Sequence, residues 1–299
     1  MSSRSAHILY APLNVLLHLV ARLPLGVLYG LSHLLYYIVY YVVRYRRKVV
    51  ARNLMRSFPE KSSDEIRRIE KDFYHFFADY MVETIKLLHI SDEEMRRRMK
   101  FVDAEVVDRY TAQGRPVMLL LGHYGNWEWI PSLTMWITMS DNIAGGQIYR
   151  PLSNKWFDAF FLRLRSRFGT VGIPTQSTLR TLLQYRREGK VSVTGFISDQ
   201  APRWSHEYEW TTLFGRRTTV ITGYETIAKK LDMAVVYVDV ELIKRGYYRA
   251  TFRLLEDNPA QCPEQDIVER YIQSLEKTIR RKPHAWLWTH DRWKQSPND

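Results

Sequence analysis

The residues best able to do chemistry lie in the segment RPVMLLLGHYGNWEWIPSL, from Arg115 to Leu133. An apolar run ends at Gly122, His123 follows directly, and Glu128 comes five positions later. A carboxylate that holds one ring nitrogen of an imidazole leaves the other nitrogen free to accept a proton, as in the base half of a catalytic triad. This turn contains no serine or cysteine, so the nucleophile would be the hydroxyl of a substrate. The pattern also fits a helix-capping histidine and a solvated glutamate.

The elements around this pair must form a corner. Val117 to Leu121 predicts a strand buried on both faces, Gly122 and Gly125 bracket a tight turn, and Asn126 is a candidate N-cap for the helix that follows. The corner lies at the carboxyl end of a strand, where open α/β sheets place their binding sites.

Contact between His123 and Glu128 depends on this corner. On a single helix, five residues would separate the two side chains by about 140°. Across a strand, a turn and the first turn of a helix, Glu128 can fold back towards the imidazole. Backbone amides between Gly122 and Asn126 are our candidates for an oxyanion hole.

The rest of the chain alternates between two periodicities. Strands are predicted at Val117–Leu121, Ile143–Tyr149, Val191–Ile197, Ala234–Val240 and Tyr248–Leu254. Helices are predicted at about Ser62–Leu88, where Ser62 and Glu65 form a capping box, and at Asn126–Trp136, Asn154–Phe168, Thr178–Tyr185, Thr219–Leu231 and Glu264–Arg280. The alternation predicts an α/β fold: a mixed, largely parallel sheet flanked by helices.

An apolar segment precedes this domain. Leu25 to Val43 contains no Asp, Glu, Lys or Arg, and is just long enough to cross a membrane as a helix. The basic stretch RYRRK follows it and would lie in the cytoplasm. We expect residues 1–44 to form a membrane-anchoring segment with a spanning helix, and residues 45–299 to form one catalytic domain. The tyrosines on one face leave two alternatives, a helix docked on the protein or a helix in the plane of the membrane.

Composition limits the partners. The chain has 299 residues with 44 Lys and Arg against 32 Asp and Glu, a formal net charge of +12. That charge favours an anionic partner, but the basic residues are scattered and form no nucleic-acid-binding motif. The single cysteine, Cys262, excludes an internal disulfide and a cysteine-rich zinc cluster.

Several blocks carry a family resemblance. LGHYGNWEW resembles the His-x4-Asp/Glu motif of the glycerolipid and lipid A acyltransferase superfamily. RRKVVARNLMRSFPEKS, IYRPLSNKWFD, ISDQ, LFGRRTTVITGYETIAKKLDMAVV and KPHAWLWTHDRWK follow in the order found in bacterial late lipid A (Kdo-lipid A) acyltransferases. The chain resembles that family along nearly its whole length.

The resemblance implies the reaction and its setting. His123 would take the proton from an acceptor hydroxyl as it attacks a thioester, and Glu128 would orient His123. The acyl donor would be acyl carrier protein or coenzyme A, a co-substrate, with no cofactor and no metal. The partners would be the acidic carrier protein, an anionic lipid acceptor and the membrane. The location would be the bacterial inner membrane, with the catalytic domain facing the cytoplasm.

Six further positions are candidates for binding substrate. Arg150 follows a strand expected to neighbour the motif strand and would clamp a phosphate, or else is a surface arginine. Asp199 and Gln200 would bind the acceptor sugar or fix neighbouring loops. Gly215 and Thr219 would lead into a helix whose free N–H groups receive an anion. Asn126 completes the set.

The expected function is therefore acyl transfer to a hydroxyl of a lipid A precursor. The nearest alternative keeps the chemistry with a lysophospholipid, an amino-acid lipid or a glycolipid as acceptor. A non-catalytic, lipid-binding scaffold is the alternative from another class.

Overall fold

The computed structural model describes residues 3–202 and 208–294, with side chains from residue 10 onward. Its α-helices are α1 (Ser3–Arg22), α2 (Leu25–Tyr37), α3 (Arg47–Ser57), α4 (Ser63–Lys86), α5 (Asp92–Arg98), α6 (Glu105–Ala112), α7 (Lys155–Arg165), α8 (Thr178–Arg187), α9 (Gly223–Leu231) and α10 (Asp266–Arg281). Its strands are β1 (Met99–Val102), β2 (Val117–Leu121), β3 (Ile143–Tyr149), β4 (Val171–Pro174), β5 (Val191–Ile197), β6 (Tyr208–Leu213), β7 (Arg216–Ile221), β8 (Ala234–Lys244) and β9 (Tyr247–Glu256).

A seven-stranded sheet organises the domain, in the order β1-β9-β8-β2-β5-β3-β4. All pairs are parallel except β8 with β9, which form an antiparallel hairpin. Every residue of β2 is buried, as a central strand covered on both faces requires. The mixed, largely parallel α/β sheet predicted from the sequence is confirmed.

The predicted strands β2, β3 and β5 have the expected bounds, and β8 and β9 run longer than predicted. The short edge strands β1 and β4, of four residues each, were not predicted. In a strand of four residues, apolar and polar residues alternate too few times for the pattern to be recognised in the sequence.

Two predicted helices differ in the structure. The expected helix Asn126–Trp136 is a 3₁₀ helix at Trp127–Met135, and it contains Pro131, which has no backbone N–H to donate. The expected helix Thr219–Leu231 begins only at Gly223, because the β-branched run before it forms strand β7. Strand β7 pairs with β6 in a separate two-stranded hairpin.

Helix α4 is the support for the N-terminal segment. The predicted capping box is confirmed: Ser62 accepts from the N–H of Glu65, and the Glu65 carboxylate accepts from the N–H of Ser62. Helix α2 lies along α4, and Ser32 of α2 donates to Asp79 of α4 at 2.5 Å. The ammonium of Lys86 caps the end of α1 by donating to the carbonyl of Leu23 at 2.8 Å.

The outer face of the N-terminal segment is apolar. Among the described residues, one helical stretch, Leu25–Val42, is long and apolar enough to cross a membrane, and 28% of it is buried against the rest of the protein. Of the large apolar side chains that the described chain exposes, 13 of 21 lie between Val15 and Tyr45. The exposed apolar surface is therefore concentrated on α1, α2 and the π-helical turn Ile38–Val42.

Candidate active site

The parallel register of β2 and β5 brings two predicted site residues together. Leu121 at the end of β2 pairs with Ile197 at the end of β5. His123 and Asp199 each lie two residues beyond that pair, so they leave the sheet at the same edge and level. This is the carboxyl edge, where the sequence places the site.

Asp199 holds His123 at two points. Oδ1 of Asp199 lies 2.6 Å from Nδ1 of the His123 ring, and Oδ2 accepts from the backbone N–H of His123 at 2.9 Å. The indole N–H of Trp286 donates to the same Oδ2 at 2.7 Å. The expected partner of His123, Glu128, is thus the wrong residue in this structure, since Nδ1 faces Asp199.

The charge of Asp199 fixes the state of the imidazole. Burial alone would raise the pKa of Asp199, but the adjacent His123 and the hydrogen bonds from His123 and Trp286 outweigh burial and lower it to about 2. A carboxylate only accepts hydrogen bonds, so in the neutral imidazole of His123 the proton is on Nδ1 and the lone pair is on Nε2. The His123 side chain is 21% exposed, against 1% for Asp199. The pair has the geometry of a general base with its orienting acid.

Glu128 makes a different pair. Its two oxygens accept from Nη2 and Nε of Arg165, in the last turn of α7, at 2.6 and 2.7 Å. This two-point geometry is the strong form of an Arg–carboxylate bond. The Glu128 side chain is only 3% exposed, so the pair ties the segment after the His123 turn (residues 122–126) to α7.

The ring of Trp127 connects the two pairs. It packs edge-on against the His123 ring, with centroids 5.1 Å apart, and stacks on Tyr80 of α4 at 4.2 Å. Burial raises the pKa of the Tyr80 phenol, and the nearby carboxylate of Glu128 raises it further. His123, Trp127 and the Glu128–Arg165 pair therefore belong to one wall of the site.

Two glycines make the turn possible. A Cβ on Gly122 would lie 2.5 Å from a terminal methyl of Leu275, which would have to move, and 3.4 Å from Oδ2 of Asp199, an ordinary contact. Gly125 has φ +61°, and a Cβ there would lie 2.9 Å from Val240.

The C-terminal segment pins the same turn. The N–H of Leu287 donates to the carbonyl of His123 at 3.0 Å, and the N–H of Gly125 donates to Ala285 at 2.9 Å. The N–H of Tyr124 donates within the turn. The amides of residues 123 to 125 are thus already bonded, so these three members of the predicted oxyanion hole are not free donors.

Asn126 does not cap a helix with its side chain, as the sequence suggested. It is fully buried, and its Nδ2 donates to Glu83 of α4 at 2.8 Å. In this arrangement it supports the turn from behind and has no surface for substrate. Gln200 lies nearer the site, with Nε2 3.5 Å from Nδ1 of His123, which is the outer limit for a hydrogen bond.

Arg150 lies farther from the turn than expected. It is exposed just after β3, and β5 separates β3 from the motif strand β2, so the predicted adjacency is wrong.

Gly215 and Thr219 do not form the predicted anion-binding helix start. Phe214 and Gly215, with φ of +56° and +70°, form the two-residue turn between β6 and β7. Thr219 lies within β7, paired with Trp210, and is buried. Its carbonyl accepts from Nη1 of Arg292 at 2.7 Å. Both residues are structural here because a strand replaces the expected first helical turn.

Two residues of this region were missed from the sequence. Arg165 belongs to a run of basic residues that reads as a solvated helix face, and Glu83 sits among apolar positions of α4. For Arg165 the sequence gives no signal. Glu83 could have been found, because it lies on the apolar stripe of a helix and a buried carboxylate needs hydrogen-bond partners.

Known proteins resemble this chain along most of its length. The chain is 25% identical to the lipid A biosynthesis lauroyltransferase of Escherichia coli (strain K12) over 293 residues, which cover 94% of this chain and 90% of that protein. Residues 4–295 match the family described as bacterial lipid A biosynthesis acyltransferase. Because that match spans nearly every residue, including the turn with His123 and the loop with Asp199, the chain belongs to the family of bacterial lipid A biosynthesis acyltransferases.

Proposed function

We propose that this protein transfers a fatty acyl chain from a thioester to a hydroxyl of a lipid A precursor, with His123 as general base and Asp199 as its orienting acid. The observation that carries the proposal is the 2.6 Å contact between Nδ1 of His123 and the buried carboxylate of Asp199. It leaves Nε2 as the free base on a side chain that reaches the surface.

Acyl transfer then proceeds in two steps. Nε2 of His123 takes the proton of the acceptor hydroxyl while that oxygen bonds to the thioester carbonyl carbon. The tetrahedral intermediate then collapses, the carbon–sulfur bond breaks, and the imidazolium returns its proton to the departing thiolate. The products are an ester and a free thiol. Asp199 stabilises the imidazolium between the two steps without taking the proton.

Glu128 acts in this proposal through Arg165. The carboxylate fixes the guanidinium beside the catalytic turn, so loss of Glu128 changes the wall of the site and leaves the bond between His123 and Asp199 in place.

The charge of the chain supports anionic reactants. A net charge of +12 suits an acidic acyl carrier protein as donor and a phosphorylated lipid as acceptor. Coenzyme A, which is also anionic, is the alternative donor.

The N-terminal helices support attachment to a membrane without crossing it. The middle of α2 is bonded to the folded domain, through Tyr29 to Glu83 at 2.9 Å and through Ser32 to Asp79. Arg245 of the β8–β9 hairpin also donates to Asp79, at 2.6 Å. A bilayer surrounding α2 would have to surround these charged partners too, which is costly. We therefore favour helices lying in the plane of the inner membrane on its cytoplasmic side, with the exposed apolar face in the lipid.

Acyl transfer by purified protein tests the proposal. Wild type and His123→Ala are incubated with labelled acyl carrier protein or acyl coenzyme A and with a panel of acceptors. We expect transfer to a lipid A precursor, and a loss of about 10²–10⁴-fold in His123→Ala. Transfer only to a lysophospholipid, an amino-acid lipid or a glycolipid would overturn the proposal that the acceptor is a lipid A precursor. A folded wild type that transfers to nothing would favour the scaffold.

A further inference from the structure

Glu83 of α4 is a buried acid outside the residues that face the reaction. It is 0% exposed, and its carboxylate accepts three hydrogen bonds. Asn126 of the catalytic turn donates to Oε2 at 2.8 Å, Tyr248 of β9 donates to Oε2 at 2.8 Å, and Tyr29 of α2 donates to Oε1 at 2.9 Å.

The backbone of Glu83 adds a further contact. Its carbonyl accepts from the indole N–H of Trp129 at 3.3 Å. Asn126 and Trp129 lie on either side of Glu128, so one residue of α4 holds the segment that follows His123 from two points. Burial raises the pKa of the Glu83 carboxyl to about 7, so the ionised group costs stability that its hydrogen bonds offset only in part.

We infer that Glu83 is a positioning residue for acyl transfer, joining the docked N-terminal helix to the catalytic turn through Tyr29 on one side and Asn126 on the other. This inference rests on the proposed function. Helix α2 carries exposed apolar side chains on one face and the Tyr29 hydroxyl on the other, so the element that meets the lipid also completes the hydrogen bonds behind the turn.

Glu83→Gln is the informative variant, because it keeps the size of the side chain and replaces one acceptor oxygen by a donor. The amide of Glu83→Gln offers one acceptor oxygen to three donors, so at least one of the hydrogen bonds from Asn126, Tyr248 and Tyr29 must be lost or reversed. We expect kcat to fall by ~10- to 100-fold, the effect of a small misplacement of catalytic groups, with KM changed less than about twofold.

Glu225→Gln is the matched control. Glu225 is also a buried glutamate, 5% exposed. It accepts from the N–H groups of Gln265 and Val268 and pairs with Lys229, and none of these partners belongs to the turn. Glu225→Gln should lose stability and keep its kcat. If the two variants have the same kcat, the inference is overturned.

Two more measurements separate this inference from the function on which it rests. In a double-mutant cycle, Glu83→Gln and Asn126→Ala should be non-additive in kcat; additive effects would show that Asn126 acts without Glu83. Tyr29→Phe should also lower kcat. An unchanged kcat would show that the N-terminal helix does not act on the turn through Glu83.

The rate at which diethyl pyrocarbonate modifies His123, followed by peptide mass spectrometry, needs no substrate. It should rise at least about threefold in Glu83→Gln relative to Glu225→Gln as the turn loosens. Equal rates would overturn the positioning role. A changed rate in a protein whose wild type transfers no acyl chain would overturn the proposed function alone.

Discussion

Nδ1 of His123 lies 2.6 Å from Oδ1 of Asp199, and the other oxygen of Asp199 accepts from the backbone N–H of His123 at 2.9 Å. The carboxylate therefore fixes both the ring and the main chain of the same residue. Rotation of the imidazole and displacement of the turn would each break a hydrogen bond to an ionised group, a strong class of bond.

Asp199→Asn should abolish most of the activity. The amide oxygen will face the donors His123 N–H and Trp286 Nε1, which leaves the amide NH₂ facing Nδ1 of His123. That arrangement favours the tautomer with the proton on Nε2, which is no longer a base. We expect kcat to fall ~10²–10⁴-fold. Steady-state acyl transfer measures it, and the double variant with His123→Ala should be no worse than His123→Ala. A variant with wild-type kcat would show that another group orients the imidazole.

Glu128→Gln should cost stability as well as activity. It leaves the guanidinium of Arg165 with a neutral partner in a mostly buried site. We expect a loss near the lower end of about 3–5 kcal/mol in the free energy of unfolding, since Arg165 is partly exposed. Urea unfolding measures it. The double variant Glu128→Leu with Arg165→Met should recover part of the loss, because no charge is then left unpaired. A full loss of activity at wild-type stability would instead favour a direct catalytic role for Glu128.

Glu83 should make the protein less stable as the pH rises from about 4.5 to 7. Its folded pKa, raised by burial to about 7, lies above the ordinary value of 4.5, so the folded state holds a proton that the unfolded state releases. Stability from this group is fully present below pH 4.5 and is lost as the pH rises through 7, by about 3 kcal/mol. Unfolding free energies of wild type and Glu83→Gln at pH 5 and 7.5 measure the difference.

The same comparison removes the effect of the histidines. Burial lowers the pKa of His75, His284 and His290, so these groups destabilise the fold as the pH falls, which opposes the effect of Glu83. They are common to both proteins and cancel in the difference. Parallel pH dependences would contradict the assignment of the shift to Glu83.

Charges on the exposed face of the N-terminal helices should weaken membrane binding. Leu16 of α1 and Leu34 of α2 are 55% and 60% exposed. Leu16→Glu combined with Leu34→Glu should reduce co-sedimentation with phospholipid vesicles at least about tenfold without a loss of stability, because each removes apolar area from the lipid. Leu254→Glu is the control, since Leu254 is 45% exposed on β9, outside those helices. An equal loss of vesicle binding in Leu254→Glu would contradict the assignment of the exposed face of α1 and α2 as the membrane-binding surface.

Washing the membranes tests the in-plane arrangement. Carbonate at high pH should release the wild-type protein if its helices lie in the interface. Retention after that wash would favour the spanning helix that the length of Leu25–Val43 suggests.

The sequence by itself determined the elements that depend on local patterns. The apolar run Val117–Leu121 identifies a central strand, because a strand covered on both faces carries no polar alternation. The glycines around His123 identify a tight turn, the capping box starts α4, and the order of the blocks identifies the family. The position of His123 at the carboxyl end of a strand followed from these patterns alone.

The tertiary structure decided which carboxylate serves the imidazole. Asp199 is 76 residues from His123 in the chain and meets it only because β2 and β5 are parallel neighbours in register. Glu128, five residues away, is turned to Arg165 by a 3₁₀ turn that a pattern of helical period cannot foresee. Hydrogen-bond partners of buried acids are set by which strands and helices pack together. Local spacing carries no record of that packing, so the sequence places His123 at the edge of the sheet and only the fold determines that Asp199 is its partner.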